Sequence, residues 1–229
     1  MSKRKRRCRI YGIAFCVLIL IVLFTLLPFN TTKTFDASDY NYTLDYSIEL
    51  DDIRVFSQET NHTCYAVSMV ILNNYLGVET TEQELIEKLK LQDRGKGMLP
   101  SEYLFYANKI FNTANHSVSL LNPKSEAEIL NIITASLIDG LPIVFFYATA
   151  DDWNKPHYNT HYSVIYGIDM EEKIVKLSNP YGFFEELSFE ELFNGLTFQT
   201  YKSEPFTHLL GRKVGYIKNN NLFVLEEIV

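Results

Sequence analysis

Residues 161–181 read HYSVIYGIDMEEKIVKLSNPY, and this segment indicates the fold more directly than any other. Residues 161–168 and 174–178 have the apolar, β-branched and aromatic composition that is typical of strands. The charged residues 169–173 between them predict a turn. The segment therefore predicts a hairpin of two antiparallel strands.

The hairpin also predicts which side chains meet. If its turn is centred near Glu171, residues whose numbers add to about 342 face each other, so His161 lies opposite Tyr181. Asn179 is then the diagonal neighbour of His161 on the same face. We therefore expect the amide oxygen of Asn179 to accept a hydrogen bond from the imidazole and to fix its tautomer.

Helical patterns dominate before this hairpin, and strand patterns dominate from residue 142 onward. The predicted helices lie at 64–76, 81–89, 100–111, 125–137 and 188–193. The other predicted strands lie at 53–56, 142–147, 214–217 and 222–225. Helices followed by an antiparallel sheet are typical of the α+β class, and we place this domain at residues 51–229.

A membrane segment is predicted near the N-terminus. Residues 10–29, IYGIAFCVLILIVLFTLLPF, carry no charge and are long enough to span a bilayer core of about 30 Å. Six basic residues precede them, so the positive-inside rule places residues 1–9 in the cytoplasm. A cleaved signal peptide is the alternative, but no A-x-A cleavage site follows. We predict a single-pass signal anchor in the cell membrane, a polar tether at 30–50 and an extracellular domain.

Composition excludes several classes of protein. Apolar residues make up 47% of the chain, which is enough for a core and rules out a wholly disordered protein. Six of the 21 basic residues lie in residues 1–29, so residues 30–229 carry 15 basic against 28 acidic residues. A surface this acidic repels phosphate backbones, so we expect no nucleic-acid partner. Three cysteines are too few for a disulfide scaffold and do not fit a structural zinc site.

Cys64 is the candidate nucleophile. It is the only cysteine in residues 30–229, and it begins a predicted helix directly after Asn61-His62-Thr63, which are helix-start residues. A helix N-terminus and a neighbouring imidazolium both stabilise a thiolate, so we expect the pKa of Cys64 to lie below its ordinary value. The alternative is a buried and chemically inert cysteine.

Three further residues complete a candidate active site. His161 is the candidate base, Asn179 would hold the imidazole in its orientation, and Gln58 could donate a hydrogen bond to an oxyanion. Each residue type also has an ordinary structural role, as a core histidine, an Asn-Pro turn or a surface glutamine. His157 lies four residues before His161, but the strand keeps the two off a shared helical face, so we expect no metal.

The order Gln58, Cys64, His161 and Asn179-Pro180, with the hairpin around it, resembles the papain-like cysteine peptidases. The nearest resemblance is to the bacteriocin-processing, double-glycine-leader type, family thirty-nine of these peptidases, over roughly residues 50–185. It implies a papain-like α+β fold with N-terminal helices on an antiparallel sheet. It also implies that Cys64 is the nucleophile, His161 the general base and acid, Asn179 the orienter and Gln58 the oxyanion donor.

Two residues depart from that family's pattern. The family usually has Gly after the nucleophile, where this chain has Tyr65. It usually has Asp as the orienter, where this chain has Asn179. An Asn can orient an imidazole but supplies no countercharge, so we expect Asn179→Asp to raise activity.

These observations predict a membrane-anchored, extracytoplasmic cysteine peptidase that hydrolyses amide bonds in peptides without a metal or an organic cofactor. Its expected partners are a peptide or protein substrate and the membrane, the latter through residues 10–29. Two alternatives stay open. One is a papain-like module that binds a cell-surface partner without turnover. The other is an acyl or amide transferase that uses the same cysteine.

Overall fold

The computed structural model describes residues 47–91, 96–112, 115–149, 159–198 and 206–228. The helices in these ranges are α1 (Cys64–Tyr75), α2 (Glu82–Leu89), α3 (Pro100–Phe111), α4 (Glu126–Ile138), α5 (Phe189–Leu196) and α6 (Phe206–Lys213). The strands are β1 (Ser47–Glu49), β2 (His116–Leu121), β3 (Ile143–Thr149), β4 (Asn159–Asp169), β5 (Ile174–Asn179), β6 (Phe183–Ser188) and β7 (Asn221–Glu227).

The strands form one antiparallel sheet in the order β2-β7-β3-β4-β5-β6. β4 is its longest strand, and β3 pairs with the first part of it. β1 pairs with its last residues, 167–169, where β3 no longer reaches. β5 pairs with β4 from Val164 onward. The first residues of β4 are therefore paired on the β3 side only, and this open end is where the candidate site lies.

The predicted hairpin is formed by β4 and β5. Val164 faces Ser178 and Ile165 faces Leu177, which is the register expected from a turn centred near Glu171. Nearer the turn, a bulge between Ile165 and Gly167 shifts the pairing by one residue. The bulge leaves the register at the open end unchanged, so that end brings His161 towards residues 179–181.

Helices cover both faces of the sheet. On one face, Ile133 of α4 and Leu192 of α5 belong to the same buried cluster as Phe145 of β3. On the other face, Tyr103 of α3 stacks on Tyr162 of β4 with ring centroids 4.7 Å apart. Neighbouring strand residues point to opposite faces, so β3 and β4 are buried on both sides, and their sequences are continuously apolar rather than alternating.

Helix α1 lies in the interior of the domain. Its residues from Cys64 to Asn73 are all buried, so the helix is covered on every side. No acidic side chain lies in its first turn, and the positive end of its dipole is therefore not compensated there. The predicted capping box at Thr81 is present at the start of α2, where Glu84 and Thr81 bond each other's backbone.

The predicted α+β class with an antiparallel sheet is confirmed, and two predicted strands are wrong. Residues 53–56 form no strand, although the next residue, Ser57, makes an isolated bridge to Tyr181. Residues 214–217 form the turn after α6, because Gly215 adopts a left-handed conformation and Tyr216 N–H bonds back into the helix.

Four elements were not predicted: β1, β2, β6 and α6. β6 has the sequence FFEELS, which lacks a clear alternation of apolar and polar residues, and it forms because β5 offers it an edge to pair with. The described residues divide between two compact units, one of which contains residues 206–218 with α6. All the other described elements belong to the second unit.

The predicted membrane span at 10–29 and the predicted cytoplasmic segment at 1–9 lie outside the described residues. Within the ranges given above, no helix is both long enough and apolar enough to cross a membrane. Of the predicted tether at 30–50, the structure describes residues 47–50. Ser47–Glu49 form β1, and Leu50 N–H donates to the carbonyl of Tyr166 at 2.9 Å.

Candidate active site

Cys64 lies where the N-terminus of α1 meets the open end of β4. The residue is only 5% exposed. Burial is the largest influence on the pKa of its thiol and raises it, and the neighbouring backbone of Tyr162 and Tyr65 acts in the opposite direction. The nucleophile candidate thus lies near the backbone of the residue next to His161.

Burial determines the acidity of this thiol. Removal from water raises the pKa of Cys64 from 9.0 to about 11, because the charged thiolate loses its hydration. The neighbouring backbone groups oppose this effect without overcoming it, and the negative charge of Glu82 adds slightly to it. The expectation of a lowered pKa was therefore wrong for this arrangement. That expectation rested on the helix N-terminus and the imidazole, which both stabilise a thiolate. It left out the burial of the residue, which destabilises one.

His161 and Asn179 form a direct hydrogen bond. The imidazole Nε2 lies 2.9 Å from the Asn179 Oδ1 atom, and the two side chains are 1% and 3% exposed. Tyr181 stacks on the imidazole, with ring centroids 4.4 Å apart and planes 10° from parallel. The diagonal pairing predicted from the hairpin register is therefore present, and the ring is held at its edge and on one face.

The contacts of Asn179 determine which tautomer His161 adopts. Tyr181 N–H donates to the Asn179 Oδ1 atom at 3.0 Å, and the Nδ2 atom donates to a carboxylate oxygen of Glu185 at 2.6 Å. These two partners fix which end of the carboxamide is oxygen. Oxygen can only accept, so Nε2 of His161 carries the proton in the neutral ring. The basic nitrogen is consequently Nδ1.

Gln58 lies in the loop before α1 and runs beside the turn that follows β5. Its backbone N–H donates to the carbonyl of Pro180 at 2.7 Å. Its side-chain Nε2 donates to the carbonyl of Thr60 at 2.8 Å, which uses one of its two amide hydrogens. The backbone bond joins the segment that precedes Cys64 to the turn that follows Asn179. The second amide hydrogen of the Gln58 side chain is left for another acceptor.

Two carboxylates lie near the site that were not predicted from the sequence. Glu185 follows Asn179 by six residues, across a hairpin that the sequence did not reveal. Glu82 is buried, and burial raises its pKa. It accepts a hydrogen bond from the backbone N–H of Glu59 at 2.9 Å, so it fixes the loop before Cys64 to α2. Recognising Glu185 would have required the register of β6, and for Glu82 the sequence contains no usable signal.

A cleft of about 510 Å³ lies beside the N-terminus of α1. Thr63 and Tyr65, the two neighbours of Cys64, line it, together with Glu82. In the part of the chain that the structure describes, no group of three His, Cys, Asp or Glu residues could hold a metal ion. His157 lies outside that part.

A known family matches more than half of the chain. The sequence model of the Peptidase_C39 like family covers residues 50–200. No curated protein matches the chain.

Among solved structures, a Bacillus anthracis protein described as a C39-like peptidase is 13% identical, with a TM-score of 0.54 over 80% of this chain and 98% of that one. The peptidase domain of Streptococcus ComA is 11% identical, with a TM-score of 0.46 over 76% and 98% of the two chains. Xylellain, a cysteine protease from Xylella fastidiosa, is 11% identical, with a TM-score of 0.47 over 86% and 95%. The structural similarity to the Bacillus anthracis protein supports the fold described above.

Proposed function

The chain belongs to the Peptidase_C39 like family, and on that basis we propose that it hydrolyses amide bonds in peptides with Cys64 as nucleophile and His161 as general base. One observation carries the proposal. The backbone of Tyr162, the residue directly after His161, lies close enough to Cys64 to act on the pKa of its thiol, and His161 is in turn bonded to Asn179. This arrangement supports a site that combines a thiol, an imidazole and an orienting amide.

The raised pKa of Cys64 indicates how the first step would run. The thiol is neutral at physiological pH, so its proton passes to Nδ1 of His161 as the sulfur attacks the substrate carbonyl carbon. The carbonyl oxygen becomes an oxyanion. The free amide hydrogen of Gln58 and the backbone N–H of Cys64 are the proposed donors to it.

The remaining steps return the site to its first state. The tetrahedral intermediate collapses, the C–N bond breaks, and the imidazolium gives its proton to the leaving amine. The acyl group stays on the sulfur as a thioester. Water then attacks the thioester carbon while His161 takes the water proton. The C–S bond breaks, the acid leaves, and the imidazolium returns its proton to the sulfur. Asn179 keeps Nε2 protonated throughout, so Nδ1 serves both half-reactions.

The location of this activity is a separate proposal. The basic cluster and the uncharged residues 10–29 support a single-pass anchor with the peptidase domain outside the cell. Protease added to intact cells should then degrade the C-terminal domain. Full protection of that domain in intact cells, with degradation after lysis, would contradict the orientation.

A binding module without turnover is the second candidate. The enclosure of Cys64 and His161 favours it, because a substrate carbonyl must reach a sulfur whose residue is 5% exposed. The deciding experiment screens peptide libraries with the full chain in detergent, in parallel with Cys64→Ala and Cys64→Ser. Cleavage by the unmodified chain alone supports the peptidase. Equal binding of a peptide by all three proteins, with no cleavage by any, supports the binding module.

A further inference from the structure

We propose that Glu185 is a positioning residue that sets the orientation of His161 through the carboxamide of Asn179. The inference rests on the proposed function, since it concerns the same imidazole. Glu185 accepts a hydrogen bond from the orienting amide, and no sequence motif points to it.

Three hydrogen bonds hold the carboxamide of Asn179 in one orientation. Its Oδ1 atom faces Nε2 of His161 at 2.9 Å and accepts from Tyr181 N–H at 3.0 Å. Its Nδ2 atom donates to Glu185 at 2.6 Å. Of these, the bond to the carboxylate is charge-assisted and is therefore the strongest. Rotation of the amide by half a turn would place its NH₂ group against the N–H of Tyr181, where two donors would face each other. The same rotation would place its oxygen against the carboxylate of Glu185, where two acceptors would face each other.

The hairpin of β5 and β6 determines this contact. Asn179 faces Phe183, and Leu177 faces Glu185. Residues 179 and 185 are therefore diagonal neighbours on one face, within reach of long side chains. Glu185 is half-buried, and burial together with the nearby charge of Glu191 raises its pKa. A partly buried carboxylate with a like charge nearby is unfavourable by itself, and the hydrogen bond from Asn179 offsets part of that cost.

The contact also reverses the expectation for Asn179→Asp. The sequence alone suggested that an Asp would add a missing countercharge. In the structure, however, a carboxylate already lies on the far side of residue 179, so a second one would face it at hydrogen-bond distance. Two carboxylates at that distance cannot both be ionised without a large cost, so one must take up a proton or move away.

A reciprocal exchange of these two side chains tests the proposal. In Asn179→Asp/Glu185→Gln, the new amide at position 185 donates to the new carboxylate at position 179, which still accepts from His161 and Tyr181. Glu185→Met removes the acceptor at similar size. Glu186→Met is the matched control, because Glu186 is the next residue of β6 and is exposed. All variants are made in the full chain in detergent, and kcat and KM are measured on a cleaved peptide.

A second measurement does not need turnover. The nitrogen chemical shifts of the His161 ring report which nitrogen carries the proton. We expect Glu185→Met to lower kcat about 10- to 100-fold with little change in KM, and to mix the two tautomers, because a charge-assisted hydrogen bond is lost. Asn179→Asp should lower kcat similarly, and the double variant should recover most of that loss. Glu186→Met should change neither measurement.

The outcomes separate this inference from the proposed function. If Glu185→Met keeps both kcat and the Nε2-protonated tautomer, Glu185 does not position His161. If Asn179→Asp is fully active while Glu185 is intact, the two side chains do not act together. If no variant cleaves any peptide but Glu185→Met still alters the tautomer, the peptidase proposal fails and the positioning role stands.

Discussion

The structure predicts that Cys64 is a poor nucleophile in the absence of substrate. Burial raises the pKa of its thiol from 9.0 to about 11. A rise of this size disfavours the thiolate by about 3 kcal/mol, so at neutral pH the thiolate is about 100-fold scarcer than for an ordinary cysteine. Alkylation by iodoacetamide should be slow at neutral pH and should increase steadily above a pH of about 9.

The assay follows alkylation of the full chain by mass spectrometry, which separates the peptide containing Cys64 from those containing Cys8 and Cys16. The same protein in urea is the control, and there the rate should follow an ordinary thiol. His161→Ala distinguishes the two possible resting states. A neutral thiol should react with nearly the same pH dependence in this variant. A preformed thiolate–imidazolium pair should lose its reactivity at neutral pH.

A measurement of folding stability across pH gives independent evidence for the raised pKa of Cys64. The folded thiol holds its proton more tightly than the unfolded one, so folding stability should fall as pH rises from 9.0 towards about 11. Other groups titrate there as well, so the quantity to compare is the difference between the chain and Cys64→Ser. An alkylation rate that levels off well below the ordinary thiol pKa, together with no such difference in stability, would show that burial does not control this thiol.

Three further outcomes are expected. Gln58→Ala should lower kcat by roughly 10²–10³ with little effect on KM, because one oxyanion donor is lost. Gly182→Ala should lower the free energy of unfolding by about 1–3 kcal/mol in chemical denaturation, because its φ is +92° and the new Cβ would lie 2.9 Å from a side chain of the facing loop. Gly97→Ala is the control, since its Cβ would meet nothing within 4 Å. Burial raises the pKa of Glu82 above 4.5, so stability should fall as pH rises above that value, and Glu82→Gln should remove this fall in thermal unfolding measured across pH.

The closed resting site has a consequence for mechanism. A neutral thiol on a residue that is 5% exposed to solvent is protected from oxidation as well as from alkylation. The same enclosure makes the transfer of the thiol proton to His161 part of the chemical step, so activity should depend on the orientation of the imidazole more than on the acidity of the thiol. We propose that Asn179 and Glu185 control this orientation together with the stacked ring of Tyr181.

The membrane anchor stays a prediction from the sequence. It depends on the uncharged run at 10–29 and the basic residues before it, and these lie outside the described residues. The catalytic roles of Cys64, His161, Asn179 and Gln58 are likewise proposals, although the structure brings their backbone segments together. Membership of a cysteine peptidase family, in contrast, is confirmed by the match over residues 50–200.

Features that depend on local pattern were predictable from the residues alone. The apolar run at residues 161–168 and its return at 174–178 predicted the hairpin, and its register predicted the contact between His161 and Asn179. Thr81 and Glu84 predicted the start of a helix. In each case the information lies in residues close together in the chain, because hydrogen bonding within a hairpin or a helical turn joins near neighbours.

The chemistry of the site, in contrast, depends on how distant segments pack. The pKa of Cys64 reflects how completely other elements enclose it. The partner of Asn179 comes from β6, whose sequence has no strand signal of its own. Burial and charge act through space over a few ångströms, whatever the separation along the chain, so the environment of a side chain is fixed only by the folded arrangement around it.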